Sequence, residues 1–289
     1  MQEKKLTISN KPEISAIYFA LLQCGYDYYA LEKKPDLVSK LESFREEQMN
    51  SHVSFFSEIR QNSCEVYPYW PRAAVLEEAT SYLDENDTEF VEFDQFQKRI
   101  MTAGNIAPKE KDLWGWISQF PAALKAVLHS ASFQKYFAWE ETWIAAQNQQ
   151  YRSELENLQR ILQKCDTQYC SPVQEIHILL NPIKCAYSSD YYMYNGNLHF
   201  SLGWFRIESI LHEFLHPVIH PYVMRSKDEI LQHSGSFPDI DESYLLDGSD
   251  AGRLNAAEEY LVRALTERAA CEALPNDLNQ FVQDNLQKR

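Results

Sequence analysis

Residues 212–216 read His-Glu-Phe-Leu-His, the pattern in this chain most closely tied to a specific chemistry. Residues four positions apart lie on the same face of a helix, so the imidazoles of His212 and His216 can reach one metal ion. Two neutral imidazoles suit Zn²⁺, and a site with three protein ligands leaves a fourth position open for water. Glu213 follows the first histidine and would be placed to take a proton from that water. The spacing therefore predicts a catalytic zinc site with Glu213 as the general base.

The sequence around this pattern favours a buried helix. Apolar residues recur at helical spacing on both sides of the histidines: Phe205, Ile207, Ile210, Leu211, Phe214, Leu215, Val218 and Ile219. Gly203 is expected to break the chain before the helix, and Pro217 to weaken the helix just after His216. The alternative is a buried helix that matches the pattern by coincidence. That interpretation is weaker, because the 289-residue chain has only eight histidines.

A third metal ligand has to come from elsewhere in the chain. His220 continues the four-residue step, but in an unbroken helix it would lie about 12 Å along the axis from His212. It could reach the metal only if Pro217 and Pro221 redirected the chain. A carboxylate from a later helix is therefore the better candidate.

That later helix is predicted at residues 253–273, which contain many strong helix formers and no proline, with Asn255 able to cap an early turn. Glu258 shares a stripe with several leucines and so points most directly into a core. Glu259 lies four residues before Arg263, whose guanidinium could orient a ligating carboxylate. The spacing alone leaves the choice between Glu258 and Glu259 open.

The segments HEFLH and EYLVRA resemble those of gluzincins, metallopeptidases that pair an HExxH helix with a glutamate from a following helix. More narrowly, residues from about 174 to 273 are similar to bacterial proteins grouped as zincin-like domains of unknown function. The resemblance implies a zincin-like fold, zinc ligands His212, His216 and Glu259, and Glu213 as catalytic base. It also implies a peptide or protein substrate that is hydrolysed at a peptide bond.

A small sheet is predicted immediately before the metal helix. Residues 174–180 favour a strand, and Asn195-Gly196 between residues 190–194 and 197–202 is a strong hairpin signal. In zincin folds the strand before the metal helix is typically an edge strand. The resemblance therefore implies that an extended peptide could pair with that strand.

The remainder of the chain reads as mainly helical from residue 12 to about residue 165. We therefore expect an α+β fold with a helical N-terminal part at residues 1–170 and a zincin-like metal-binding part at residues 171–289, although both could share one continuous domain. The aromatic residues of the helical part are expected mostly to fill cores, and otherwise to line a substrate cleft. They are Tyr67, Tyr69, Trp70, Trp114, Trp116, Trp139 and Trp143.

Composition narrows the possible partners. The net charge of −15 and the isoelectric point near 5.0 disfavour binding to nucleic acid. The sequence has no signal-like start and no run approaching about 20 apolar residues, so we expect a cytoplasmic protein with free thiols and no membrane span. The sequence does not fix the oligomeric state.

Two functions of different classes are compatible with these patterns. The first is a zinc metallopeptidase, in which a Tyr or His would help to stabilise the oxyanion; Tyr222, Tyr244, Tyr260 and His220 are within reach in the sequence. The second is a non-catalytic helical binding or regulatory protein that retains a zincin-like metal site. Glu213 favours the enzyme, because a purely structural site has no use for a base.

Overall fold

A four-stranded sheet separates two groups of helices in the computed structural model, which describes residues 6–46, 54–58, 73–83, 93–102, 115–232 and 250–287. The strands are β1 (Ile8–Ser9), β2 (Glu175–Leu180), β3 (Ser189–Tyr194) and β4 (Asn197–Leu202). The α-helices are α1 (Pro12–Gln23), α2 (Pro35–Glu42), α3 (Ala73–Ala79), α4 (Phe93–Thr102), α5 (Phe120–Leu128), α6 (Ala131–Gln150), α7 (Arg152–Tyr169), α8 (Ile207–Arg225), α9 (Lys227–Gln232), α10 (Asp250–Ala270) and α11 (Leu278–Leu286). Residues 54–58 are also helical, and 3₁₀ turns occupy Tyr28–Ala30, Thr80–Tyr82 and Gly115–Gln119. The expected α+β class is confirmed.

The sheet is mixed, with strand order β1-β2-β4-β3. Strands β1 and β4 are both parallel to β2, whereas β3 is antiparallel to β4. The predicted hairpin is confirmed, because Tyr194 pairs with Asn197 and leaves Asn195 and Gly196 as a two-residue turn. Both turn residues have positive φ, 51° and 80°, the type I′ geometry that an Asn-Gly pair favours.

Alternation along the strands gives the sheet two different faces. On one face Ile178, Leu198 and Phe200 belong to a core with α7, α8, α10 and α11. On the opposite face Leu179 belongs to a core with α1, α3, α5 and α6. Strand β1 pairs with β2, so the sheet contains chain from both of the expected parts.

The HExxH helix α8 differs from the prediction, because it continues through Pro217 and Pro221 to Arg225. An internal proline costs about 3 kcal/mol. Beyond the first proline, Val218, Ile219 and Val223 are buried, and each such side chain contributes about 1.5–3 kcal/mol. The burial of these three side chains, about 4.5–9 kcal/mol together, is therefore large enough to offset the penalty of about 6 kcal/mol from the two prolines.

Helix α10 also differs in its bounds. It is helical from Asp250, so Asn255 lies inside the helix and does not cap it. At the other end Glu272 adopts a left-handed φ of 55°, and its backbone N–H donates to the Ala269 carbonyl. This turn closes the helix at Ala270, a few residues before the predicted end.

Two of the aromatic residues that were expected to fill cores have described surroundings. Trp139 packs against the core that contains α1, and Trp143 packs against the core that contains α8. Trp116 lies in the Gly115–Gln119 turn, and four others lie outside the described residues: Tyr67, Tyr69, Trp70 and Trp114. Across the part of the chain that the structure describes, no helix has both the length and the apolar character to cross a membrane.

Candidate metal centre

Helices α8 and α10 bring three potential metal ligands together. The Nε2 atoms of His212 and His216 lie 3.2 Å apart, and Oε2 of Glu259 lies 3.4 Å from the first and 3.7 Å from the second. Four tetrahedral ligands at zinc distances of about 2.0–2.1 Å would be separated by about 3.3 Å. The three side chains are only 10–20% exposed. This group can therefore hold a metal ion.

Glu258, the other acidic candidate, contacts the far side of the histidines. Its Oε1 lies 3.0 Å from Nδ1 of His216, and its Oε2 lies 2.8 Å from Nδ1 of His220. Burial alone would raise the pKa of Glu258, but the hydrogen bonds from the two imidazoles outweigh burial and lower it. An ionised carboxylate only accepts, so His216 donates through Nδ1 and keeps the Nε2 lone pair for a metal.

His220 lies outside the three-ligand group. It is one turn further along the unbroken helix, and its side chain is 59% exposed. Its contact with Glu258 supports the carboxylate that orients His216. The structure therefore places His220 behind the candidate centre and not in it.

Arg263 holds the carboxylate of Glu259, as its position in the sequence suggested. Its Nε donates to Oε1 of Glu259 over 2.8 Å, which leaves Oε2 facing the histidines. Burial acts to raise the pKa of Glu259, but hydrogen bonds from His212 and Arg263 lower it to about 2. The carboxylate is therefore ionised and oriented for a cation.

Glu213 lies beside the same group on α8. Its Oε2 is 3.9 Å from Nε2 of His216, and its side chain is 14% exposed. Burial is the main reason that its pKa is raised to about 8, with smaller contributions from the negative charges of Asp190 and Glu259. Its carboxyl group can therefore take up and release a proton near neutral pH.

Tyr191 of β3 is a residue of this centre that the sequence analysis missed. Its ring stacks on the His216 imidazole, with centroids 5.6 Å apart and planes at 15°. Burial and the charges of Glu213 and Glu258 raise its pKa, so the phenol stays protonated and can donate a hydrogen bond. Its pairing with Phe200 shows that it shares the sheet face that packs on α8.

The position of Tyr191 also corrects the expected edge strand. Strand β4, directly before α8, is interior, because it pairs with β2 on one side and β3 on the other. Among the described strands, the edge strand next to the centre is β3. Among the residues proposed from sequence for oxyanion stabilisation, Tyr222 contacts the Arg225 guanidinium with its ring and Tyr260 packs against the core. Tyr244 is outside the described residues.

A buried lysine fixes β3 from the opposite face of the sheet. Nζ of Lys184 contacts a carboxylate oxygen of Asp190 on β3, Oγ of Ser201 on β4 at 3.1 Å and Oε1 of Glu77 on α3 at 3.0 Å. Asp190 precedes Tyr191 in the chain, so this network positions the strand segment that faces the centre. No motif in the sequence pointed to these residues.

A cleft opens beside the centre. It has a volume of about 860 Å³ and is lined by Tyr187, Ser189, Glu208, His212 and Glu213, among others. Its size falls within the range of about 300–1,000 Å³ that is common for ligand sites. His212 and Glu213 therefore border a space that a substrate can enter.

Comparisons with known proteins gave no match, whether to a family model, a curated protein or a solved structure. The functional argument therefore rests on the residues of this chain and their geometry.

Proposed function

We propose that the protein is a zinc-dependent peptidase with a zincin-like catalytic part, acting on peptide or protein substrates. The observation that carries this proposal is the convergence of donor atoms from His212, His216 and Glu259 within 4.8 Å, with the Glu213 carboxylate beside them. A structural zinc site is usually closed by four protein ligands. Among the described residues this group supplies three, next to an open cleft.

Zinc is the metal that the donor set favours. Two imidazoles and one carboxylate are a common ligand set of catalytic zinc, and they leave one position for water or substrate. When bound, zinc would lower the pKa of a water molecule and polarise a substrate carbonyl. Glu258 and Arg263 would hold the ligands in place from outside the site.

The proton transfers would be carried by Glu213. Its carboxylate would accept a proton from the attacking water and later deliver that proton to the departing amine nitrogen. The burial that raises its pKa favours the protonated form that has to persist between the two transfers. The phenol of Tyr191 would donate a hydrogen bond to the developing oxyanion.

The position of the substrate is suggested by β3. Tyr191 is on this strand, and Ser189 at its start lines the cleft. An extended peptide that pairs with β3 by main-chain hydrogen bonds would lie along the cleft beside Glu213. This arrangement favours a peptide over a compact small molecule as the substrate.

The substitution Glu213→Gln tests the proposal. It preserves the size of the side chain but removes its ability to accept a proton, so cleavage of a mixed peptide library should fall by about 10²–10⁴-fold. Zinc content, measured by elemental analysis of the same samples, should equal that of the wild type. Glu156→Gln is the matched control, because it makes the same change at an exposed position of α7 away from the cleft and should leave cleavage similar to that of the wild type.

Unchanged cleavage in Glu213→Gln would refute the proposed role of Glu213. A zinc-loaded wild type that cleaves no member of a broad library would instead support the non-catalytic binding or regulatory protein.

A further inference from the structure

A second cavity lies where the end of β2 meets the chain that leads from β4 into α8. It has a volume of about 120 Å³, and its walls include Lys33, Leu37, Trp143, Tyr151 and Phe205. None of the four residues proposed for the metal centre lines it. This cavity is therefore separate from the proposed active site.

Four of the eleven residues that line the cavity are aromatic. The rings of Tyr151 and Phe205 lie 4.8 Å apart between centroids, and Trp143 and Trp204 complete the aromatic lining. Apolar cavities of about 150 Å³ can hold a benzene molecule. A volume of about 120 Å³ therefore suits a compact ligand with a single ring.

Lys33 adds a buried amine to this aromatic cavity. The residue is 9% exposed, and Nζ donates to the carbonyl oxygen of Pro182. Within the described residues no carboxylate pairs with it, although an ammonium has three donors to satisfy. Burial lowers its pKa to about 7, which reflects the cost of an unpaired charge in this position.

Lys184 is a second buried lysine of this protein, and unlike Lys33 it is paired with carboxylates. It is 1% exposed, even less than Lys33, but it contacts the carboxylates of Glu77 and Asp190, and these charges raise its pKa despite burial. Lys33 lacks such a partner among the described residues. An anion that entered the cavity would supply one.

We propose that this cavity binds a small aromatic carboxylate of single-ring size, with its carboxylate on Lys33 and its ring between Trp143, Tyr151 and Phe205. The proposal goes beyond the peptidase function and does not depend on it. Because Phe205 precedes α8, such a ligand would contact the segment that leads into the HExxH helix.

The test uses 4-fluorobenzoate as the probe and the full-length protein, with binding followed by ¹⁹F NMR and calorimetry at pH 6.5. We expect saturable binding at one site. Lys33→Met should weaken it by about 10- to 100-fold, because a charge-assisted hydrogen bond is lost. The uncharged analogue 4-fluorobenzamide should bind the wild type more weakly by a similar factor. Lys40→Met removes an exposed lysine of the same segment and should change nothing.

A second variant covers the case in which Lys33→Met does not fold. Leu37→Trp fills the cavity but keeps Lys33, and it should also abolish binding. No saturable binding to the wild type, or binding that survives both substitutions, would overturn the proposal. Binding that disappears in His216→Ala or after metal removal, but persists in Lys33→Met, would assign the carboxylate to the metal centre and equally overturn it.

Discussion

Replacing Glu258 with alanine should weaken metal binding without abolishing it. The substitution leaves the donor atoms of His212, His216 and Glu259 in place, but it removes the acceptor 3.0 Å from Nδ1 of His216. The imidazole would then lose the contact that fixes its orientation and its tautomer. Loss of such an outer partner typically costs 10- to 100-fold in metal affinity, which is about 1.4–2.7 kcal/mol. We therefore expect one zinc per chain with a dissociation constant raised by about that factor.

Competition with a chromophoric chelator would measure this change in affinity. Glu258→Gln should fall between Glu258→Ala and the wild type, because its single amide oxygen can accept from only one of the two histidines. His220→Ala is the control, since His220 is 59% exposed and contacts Glu258 without joining the three-ligand group; it should change the affinity by less than about threefold. Equal affinities in Glu258→Ala and the wild type would refute the orienting role. Complete loss of zinc in Glu258→Ala, with zinc kept in Glu259→Ala, would move the ligand assignment by one residue.

Three further predictions concern the surroundings of the centre. Tyr191→Phe keeps the stacked ring but removes the phenolic hydroxyl. We expect kcat/KM for peptide cleavage to fall by about 10²-fold while the zinc content stays the same. An unchanged kcat/KM would exclude a role for the hydroxyl. Lys184→Met leaves two buried carboxylates without their cation. The free energy of unfolding, measured in urea, should therefore decrease by about 3–5 kcal/mol. A decrease below about 1 kcal/mol would show that the buried network contributes little to stability. Burial and the nearby charge of His177 lower the pKa of His199 from 6.5 to about 4, so the unfolded chain binds more protons between these values and stability is lost as pH falls through this range. In chelator-treated protein, lowering the pH from 7 to 5 should therefore change the free energy of unfolding of the wild type less favourably than that of His199→Gln, by about 1–2 kcal/mol; the same pH dependence in both proteins would contradict this assignment.

The pair His212 and His216 could be predicted because it depends on helix geometry alone. Any helix through residues 212–216 places both imidazoles on one face, and the neighbouring apolar residues fix which face is buried. The hairpin was equally accessible, because an Asn-Gly pair between two strand-forming runs specifies its own turn. These features are local in the sequence, and local geometry determines them.

The choice between Glu258 and Glu259 could not be made from the sequence. The two residues are adjacent, so both can face α8, and their roles depend on how α10 is rotated against it. In the structure Glu259 faces the Nε2 atoms and Glu258 faces Nδ1 of His216. This rotation is set by long-range packing, which the helical pattern does not encode.

The continuation of α8 past Pro217 and the role of Tyr191 were not predicted from the sequence, and the reason is similar in both cases. Pro217 was expected to weaken α8. The apolar residues that follow it are buried, however, and their packing outweighs the local preference against proline inside a helix. Tyr191 is 25 residues from His216 in the sequence. Its strand lies at the edge of the described sheet only because β4 pairs in parallel with β2. Both outcomes depend on contacts between elements that are distant in sequence.

The zinc content of the wild type and of Glu259→Ala, measured by elemental analysis after dialysis against metal-free buffer, tests the central claim most directly. The three-ligand centre predicts one equivalent in the wild type and close to none in Glu259→Ala, with circular dichroism showing that the variant is still folded. A wild type without bound zinc, or a Glu259→Ala protein with full occupancy, would contradict the assignment of His212, His216 and Glu259 as the metal site.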